Sequence, residues 1–160
     1  MISEYTKNDT SKILHVINDA SLRYKGIIPD NCWHEPYMSE QELIDEFSDG
    51  VRMYGYNHND TLIGVIGTQE VKDVILIRHA YTLTSYQGKG TGSALLEYLL
   101  KKKKNSRLLV GTWQNASWAV RFYKKFGFIP HAKDQSTLLL KKYWKISRKQ
   151  IKNSVVLERF

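Results

Sequence analysis

Cysteine is nearly absent from this chain: Cys32 is the only one in 160 residues. A single cysteine cannot form an intramolecular disulfide, and it excludes a metal or redox site of the C-x-x-C type. Most free cysteines are packed as small apolar side chains, so Cys32, which stands beside Trp33, is a weak candidate for a nucleophile. The chemistry of this chain therefore has to come from other residue types, and no metal site is expected.

Long hydrophobic runs are also missing. Apolar stretches such as residues 108–110 and 138–140 are far shorter than the roughly 20 residues that cross a bilayer. Residues 1–10 show no apolar signal-peptide region, so we expect a cytoplasmic protein that does not contact a membrane. A length of 160 residues with 42% hydrophobic content suits a single domain over residues 1–160, and neither a linker nor an internal repeat divides it.

Positively charged residues outnumber negatively charged ones, with 24 Lys and Arg against 16 Asp and Glu and a net charge of +8. Such an excess is compatible with nucleic acid, an acidic substrate or a polyanionic cofactor. The lysines form separate clusters, several of them at the ends of predicted helices, where cations offset the helix dipole. Because no single basic arm interleaved with aromatics occurs, nucleic acid is not expected as a partner.

Helical and strand patterns alternate along the chain, which predicts an α/β fold. Asp9 or Thr10 can cap a first helix, and Ser39 with Glu42 forms a capping-box pair that begins a second helix ended by Gly50. Further helices are predicted around residues 95–100 and at 116–126. Strands are predicted at residues 51–57, 62–69, 74–83, 107–113, near 128 and at 137–143.

A glycine-rich turn joins the strand at 74–83 to the next helix, and its residues are Gln87, Gly88, Lys89, Gly90, Thr91 and Gly92. Glycine allows the backbone to approach a ligand closely, and the unpaired N–H groups of a helix start attract phosphate. Neither G-x-G-x-x-G within a βαβ unit nor G-x-x-x-x-G-K-[ST] is present. By itself the turn predicts a phosphate site, with an ordinary tight turn as the alternative.

Residues 79–96 resemble motif A of the GNAT superfamily of N-acetyltransferases, with its Q-x-x-G-x-G core at residues 87–92. Residues 119–128 resemble motif B of the same family, which ends in Tyr-x-x-x-Gly-Phe. The order and separation of the two motifs fit, and the similarity covers about residues 2–143. The resemblance implies an acetyltransferase with acetyl-CoA as cosubstrate.

The fold implied by the resemblance is a mixed, mainly antiparallel sheet of six to seven strands, flanked by about four helices, whose central strands splay apart. The backbone near Tyr81, Thr82 and Leu83 would pair with the pantetheine arm. The pyrophosphate would be held by the glycine-rich loop, with Ser93 following it in the helix. By similarity, Tyr123 would lie near the sulfur, where a phenol can donate a proton to the departing thiolate.

Two positions depart from the family pattern. Thr84 stands where proline is frequent, a change that affects loop stiffness more than chemistry. Ala116 stands where motif B commonly has asparagine, and Asn115 lies one residue earlier. Asn115 therefore either contacts CoA or serves as the N-cap of the helix at 116–126.

The general base is not fixed by the motifs, because residues 76–80 contain no carboxylate. His79 is one candidate, since imidazole titrates near neutrality, and a structural histidine is the alternative. Glu35 and a water molecule are the other candidates. Arg78 is expected to bind an acidic group of the acceptor.

The segment between the first two predicted helices has the composition of an acceptor pocket, with Trp33, His34, Glu35 and Tyr37. The aromatic rings offer apolar or cation–π surfaces to an amine, while Glu35 could attract its ammonium or accept its proton. Aromatic residues in such a connection also commonly cap a core. The acceptor itself, a small-molecule amine or a peptide amine, is left open.

Residues 144–160 follow the motifs as a C-terminal extension, with a basic helical portion and a short strand candidate at 154–157. We expect this extension to pad the acceptor side or to pair with a second subunit in a homodimer. The rival function from another class is a non-catalytic module that binds CoA, nucleic acid or a protein. That module would be indifferent to the loss of the Tyr123 hydroxyl.

Overall fold

The computed structural model describes residues 1–160 and contains seven strands and six α-helices. No helix among them is long and apolar enough to cross a membrane. In chain order the elements are β1 (Ile2–Tyr5), α1 (Thr10–Ala20), α2 (Glu40–Ser48), β2 (Arg52–His58), β3 (Thr61–Val71), β4 (Val74–Thr82), α3 (Thr91–Lys102), β5 (Leu108–Trp113), α4 (Ser117–Lys125), β6 (Ile129–Pro130), α5 (Lys133–Tyr143), α6 (Arg148–Lys152) and β7 (Ser154–Arg159).

The strands form one sheet in the order β1-β2-β3-β4-β5-β7-β6. Strand β2 pairs antiparallel with β1 and β3, and β7 pairs antiparallel with β5 and β6. The α/β class and the seven-stranded, mainly antiparallel sheet are confirmed. The helices number six rather than about four, because α5 replaces a predicted strand and α6 lies in the C-terminal residues. The splaying of the central strands stays a prediction.

The chain divides into two compact units. The first comprises Met1–Arg23, His34–Glu70 and Ile77–Asn105, and the second comprises Tyr24–Trp33, Val71–Leu76 and Ser106–Phe160. Each unit has a hydrophobic core of its own. The interpretation of residues 1–160 as one domain stays a prediction.

In the first unit, the two N-terminal helices form where their capping and apolar patterns predict. Helical spacing puts Ile13, Val16 and Ile17 on the buried face of α1. At the start of α2, the Ser39 hydroxyl accepts a hydrogen bond from the Glu42 N–H at 3.2 Å, and the Glu42 carboxylate accepts from the Ser39 N–H at 3.3 Å. This reciprocal capping fixes where α2 begins.

In the second unit, the strand predicted at residues 137–143 is wrong, because these residues belong to helix α5. The run of three leucines at residues 138–140 favoured a strand. The buried residues of this segment, however, recur with the spacing of a helix. Leu139, Leu140 and Tyr143 are buried with Ser136, whereas Leu138 is 63% exposed. Short apolar runs cannot distinguish a strand from a helix segment, and the tertiary packing of α5 decides here.

The C-terminal residues 144–160, predicted as an extension, contribute strand β7, which lies between β5 and the edge strand β6. All six residues of β7 are in register with β5, and its residues Leu157 and Glu158 pair with β6 on the other side. Val156 and Leu157 are completely buried. Within the chain, β7 pairs with β5 along its whole length and with β6 only at Leu157 and Glu158, and its pairing with a second subunit stays a prediction.

Glu158 on β7 is the centre of an ionic network in the second unit. Its carboxylate accepts from Arg107 Nε at 2.5 Å and from His131 Nε2 at 2.7 Å, and its side chain is only 11% exposed. The Arg107 hydrogen bond, helped by the His131 bond and outweighing the effect of burial, lowers the pKa of Glu158 from its ordinary value. The network therefore stabilises the folded state only while this carboxylate is ionised.

The first prediction concerns stability and pH. A lowered pKa in the folded state gives stability that is present above the ordinary glutamate pKa and is lost as the pH falls through the folded value. Glu158→Gln should cost about 2 kcal/mol of unfolding free energy near pH 7, and this difference from wild type should shrink below about pH 4. Urea unfolding of both proteins at several pH values measures it.

The matched control is Glu70→Gln. Glu70 also forms an ion pair, with Lys103 Nζ at 3.6 Å, but its side chain is 76% exposed. An exposed pair contributes less than about 1 kcal/mol, so this variant should unfold close to wild type at every pH. Equal destabilisation by the two substitutions would contradict the account of Glu158.

Candidate active site

The glycine-rich loop lies directly before helix α3, as predicted. Gly88 and Gly90 have left-handed φ values of 74° and 88°, and open space surrounds the position where each would carry a Cβ. Gly90 is the N-cap of α3 and supplies no side-chain cap, and the first helical hydrogen bond runs from the Ala94 N–H to the Gly90 carbonyl. The amides of the first turn, beginning at Thr91, therefore lack helical partners in a setting that suits a phosphate.

Several hydrogen bonds hold the segment that leads into this loop. The Gln87 side-chain amide donates to the Thr82 carbonyl at 3.2 Å, and the Tyr86 N–H donates to the Leu83 carbonyl at 2.8 Å. The Thr84 N–H donates to the Asp19 carboxylate at 2.7 Å, so a backbone donor is used at the position where the family favours proline. Lys89 Nζ lies 5.4 Å from the centre of the Tyr86 ring.

The end of β4 carries the residues predicted to pair with the pantetheine arm. Tyr81 and Thr82 are half-buried, and Leu83 is buried in the core of the first unit. The Leu83 N–H already donates to the Ile63 carbonyl at 2.8 Å. Of the Leu83 backbone groups, only the carbonyl remains to accept from a ligand, because a carbonyl oxygen has two lone pairs.

Glu46 on α2 brings together two candidate residues of β4. Arg78 Nη2 donates to Glu46 Oε1, and Arg78 Nη1 donates to the Gln69 side chain at 2.8 Å. His79 Nε2 lies 2.5 Å from Glu46 Oε2. The Arg78 guanidinium thus pairs with a carboxylate of its own chain, and its binding of an acidic group of the acceptor stays a prediction.

The charge on Glu46 is stabilised by these partners. Burial by itself would raise the pKa of Glu46, but the His79 hydrogen bond and the charges of His79 and Arg78 outweigh burial and bring the pKa below its ordinary value. Glu46 was missed from the sequence. Its signal is weak: it is a carboxylate three residues after the buried Leu43 and next to Phe47, on the border of the apolar face of α2.

Tyr123 lies on α4 in the second unit and is 5% exposed. Its ring meets Phe122 and Phe128 edge to face, with centroids 5.2 Å and 5.5 Å away. Burial, with a smaller contribution from Tyr24, raises the pKa of the Tyr123 phenol well above its ordinary value. A phenol is protonated at neutral pH already at its ordinary pKa, and burial leaves the Tyr123 hydroxyl in that state.

Asn115 lies just before α4 but does not cap it. The N-cap is the buried Ala116, which offers no side-chain hydrogen bond, and Asn115 is exposed. The interpretation of Asn115 as an N-cap is therefore wrong, and its contact with CoA stays a prediction.

The predicted acceptor segment is a mixture of exposed and packed side chains. His34 Nδ1 donates to the Pro36 carbonyl at 2.8 Å, and the His34 ring stacks on Tyr37 with centroids 6.1 Å apart. Tyr37 packs against the core of the first unit, whereas His34 and Glu35 are exposed. Trp33 is half-buried and belongs to the second unit. The core-capping alternative thus applies to Tyr37.

Metal ligands are not grouped in this fold: no cluster of three or more His, Cys, Asp or Glu residues could hold a metal ion.

Comparison with known families gives a match to the acetyltransferase (GNAT) domain over residues 7–137. This chain belongs to the GNAT acetyltransferase family. It is therefore an acetyl-CoA-dependent acyltransferase, and the resemblance carried by residues 79–96 and 119–128 is confirmed. No curated protein sequence matches the chain.

Solved structures of GNAT proteins share the fold. The PaiA N-acetyltransferase from Thermoplasma acidophilum, in complex with coenzyme A, is 20% identical with a TM-score of 0.72, covering 99% of this chain and 97% of that chain. The ribosomal-protein-S18-alanine N-acetyltransferase from Escherichia coli is 17% identical with a TM-score of 0.70, covering 99% and 91%. The ribosomal-protein-alanine N-acetyltransferase from Brucella melitensis is 15% identical with a TM-score of 0.68, covering 100% and 99%.

Proposed function

We propose that this GNAT protein transfers the acetyl group of acetyl-CoA to a primary amine by direct attack within a ternary complex. The proposal is carried by the family match over residues 7–137, which includes the glycine-rich loop at the start of α3. Its two left-handed glycines and the uncapped first turn of α3 fit a pyrophosphate. Lys89 and Ser93 are the side chains proposed to join this backbone site.

An amine attacks a thioester only when it is neutral, so the protein has to accept one proton and supply another. We assign the first role to His79, which takes the proton from the acceptor ammonium. The amine nitrogen then attacks the thioester carbonyl carbon, and the carbon–sulfur bond breaks as the tetrahedral species collapses. Tyr123 donates its phenolic proton to the departing thiolate, and the second proton, which the nitrogen loses as the amide forms, passes to water and restores the phenol.

The backbone of Tyr81 and Thr82, with the Leu83 carbonyl, is proposed to hold the pantetheine arm. Glu35 is proposed to attract the acceptor ammonium, because its side chain is exposed and it stands between Trp33 and Tyr37 in the sequence. The acceptor is a primary amine of a small molecule or a peptide. Two of the structural relatives are alanine N-acetyltransferases of ribosomal proteins, which supports including peptides with a free N-terminal alanine in the acceptor panel.

The second prediction tests cosubstrate binding and turnover together. Calorimetric titration should give a Kd for acetyl-CoA on the order of 1 μM to 1 mM, and a panel of amines, polyamines, aminoglycosides and peptides should show acceptor-dependent release of free thiol. Failure of acetyl-CoA to bind would overturn the proposal. Binding without thiol release for every acceptor would contradict the transfer reaction while leaving the cosubstrate site intact.

Gly90→Ala tests the loop itself, since a side chain at a φ of 88° strains the backbone by about 1 kcal/mol or more. Binding of acetyl-CoA should weaken about 10-fold. The matched control is Gly26→Ala, because Gly26 also has a left-handed φ, of 81°, and open surroundings but lies outside the loop. Equal Kd values of the two variants for acetyl-CoA would show that the loop is not part of the binding site.

A further inference from the structure

Two consecutive side chains of β4 contact one carboxylate, although neighbouring residues of a regular strand point to opposite faces. Arg78 and His79 both hydrogen-bond Glu46, one on each carboxylate oxygen. The three side chains are 22%, 15% and 17% exposed, respectively. The arrangement is thus a largely enclosed cluster and not a chance surface pair.

The backbone explains how both side chains reach Glu46. His79 has a left-handed φ of 53°, which interrupts the alternation of β4 in the manner of a β-bulge. Gly67 on β3 leaves room for this conformation, because a Cβ there would lie 3.0 Å from the Arg78 carbonyl oxygen and 2.7 Å from Met53 Sδ. A non-glycine residue with positive φ has an energetic cost, and such positions concentrate at functional sites.

The Glu46 carboxylate also determines which nitrogen of His79 carries the proton. An ionised carboxylate only accepts hydrogen bonds, so His79 Nε2 must be the donor across the 2.5 Å contact. In the neutral ring the lone pair then lies on Nδ1. Arg78 donates to the other oxygen of Glu46 and is itself held by Gln69, which limits the rotation of the carboxylate.

We propose that Glu46 is a positioning residue that holds His79 as its Nε2–H tautomer, so that Nδ1 accepts the proton of the acceptor ammonium. This inference rests on the proposed function and adds to it the group that orients His79 to act as the general base. The proton passes from the ammonium to Nδ1, the acceptor becomes a neutral amine, and the resulting imidazolium keeps its Nε2–H bond to the ionised Glu46. Release of the Nδ1 proton to water restores the ring.

The charged and titratable groups around the His79 ring come from two elements. Glu46 approaches from α2, while Arg78 and Tyr81 belong to β4, with the Tyr81 ring stacked at a centroid distance of 6.5 Å. The opposite charges of Arg78 and Glu46 offset each other. Removing the Glu46 charge should therefore leave the imidazolium beside a cation without its anion, and it should become harder to form.

The third prediction is a double-mutant cycle on thiol release. His79→Gln should lower kcat at least about 100-fold, and Glu46→Gln about 10- to 100-fold, with the Kd for acetyl-CoA unchanged. In the His79→Gln background, Glu46→Gln should change kcat less than about 2-fold, because Glu46 acts only through the ring. The acidic limb of the kcat/KM profile should move to lower pH in Glu46→Gln.

The matched control is Glu158→Gln, which removes a carboxylate that is also bonded by one arginine and one histidine. It should lower stability and leave kcat and its pH profile as in wild type. A purely structural Glu46 predicts something else: equal fold losses from Glu46→Gln in both backgrounds and an unshifted acidic limb. Either result would overturn the inference.

Nitrogen-15 NMR of the His79 ring decides the inference independently of turnover. Wild type should show a protonated Nε2 and an unprotonated Nδ1 at alkaline pH, and Glu46→Gln should lose this preference. A ring protonated on Nδ1 in the wild type would overturn the inference even if thiol release is observed. If His79→Gln retains full turnover, the base assignment in the proposed function fails, and the role of Glu46 fails with it.

Discussion

Tyr123→Phe is expected to lower kcat about 100-fold or more while the Kd for acetyl-CoA changes less than about 3-fold. The substitution removes one oxygen from a ring that is 5% exposed and packed between Phe122 and Phe128, so the apolar packing survives. What disappears is the phenolic proton that is proposed to reach the departing thiolate. Steady-state thiol release and calorimetric titration on the same preparation measure the two quantities.

Tyr143→Phe is the matched control for this fourth prediction. Tyr143 is equally buried, at 5% exposure, but its hydroxyl donates to Asp73 at 2.6 Å and serves the core of the second unit. Losing that bond should cost about 1–2 kcal/mol of stability and leave kcat near wild type. Similar kcat values for the two variants would show that Tyr123 is a packed tyrosine and does not act as the acid.

Deleting residues 154–160 is expected to unfold the second unit completely. The deletion removes β7, separates β5 from β6 and exposes the surfaces that cover Val156 and Leu157. Each of these side chains contributes roughly 1.5–3 kcal/mol by burial, and the ladders with β5 and β6 are lost as well, against a total stability of about 5–15 kcal/mol for a typical domain. Near-UV circular dichroism and amide NMR dispersion measure the loss.

Deletion of Phe160 alone is the control for this fifth prediction. Phe160 is 84% exposed and contacts Arg107 only through a ring–guanidinium distance of 6.0 Å. The shortened protein should keep its dispersion and melt close to wild type. If the chain without residues 154–160 also stays folded and active, β7 is dispensable and its pairing with β5 and β6 contributes little to stability.

The sequence predicted the elements whose signals are local. Helices α1 and α2 follow from apolar spacing and from the Ser39–Glu42 capping box, and both appear within one or two residues of the expected places. Strand β1 gave no such signal, because Ser3 and Glu4 are exposed on an edge strand. Helix α5 was misassigned because three consecutive leucines resemble a buried strand. The helical spacing of its buried face includes the polar Ser136, whose burial is known only from the structure.

The residues of the candidate site also divide into those with a local sequence signal and those without one. The glycine-rich loop and Tyr123 lie in contiguous motifs, so their positions could be predicted. Glu46 could not, because its role depends on a left-handed His79 within a segment that reads as an unbroken strand, and on a helix more than 30 residues earlier in the chain. The contact of Arg78 with Glu46 could not be predicted for the same reason.

The position of β7 also governs the order in which the sheet can assemble. Trp113 is in register with Ser154 and Leu108 with Arg159, so β5 leaves the ribosome long before its partner exists. Pairings between residues this far apart in the chain form slowly, since closing the loop costs entropy before any contact is made. During synthesis, β5 and β6 therefore present unpaired edges that a chaperone or a neighbouring nascent chain could contact.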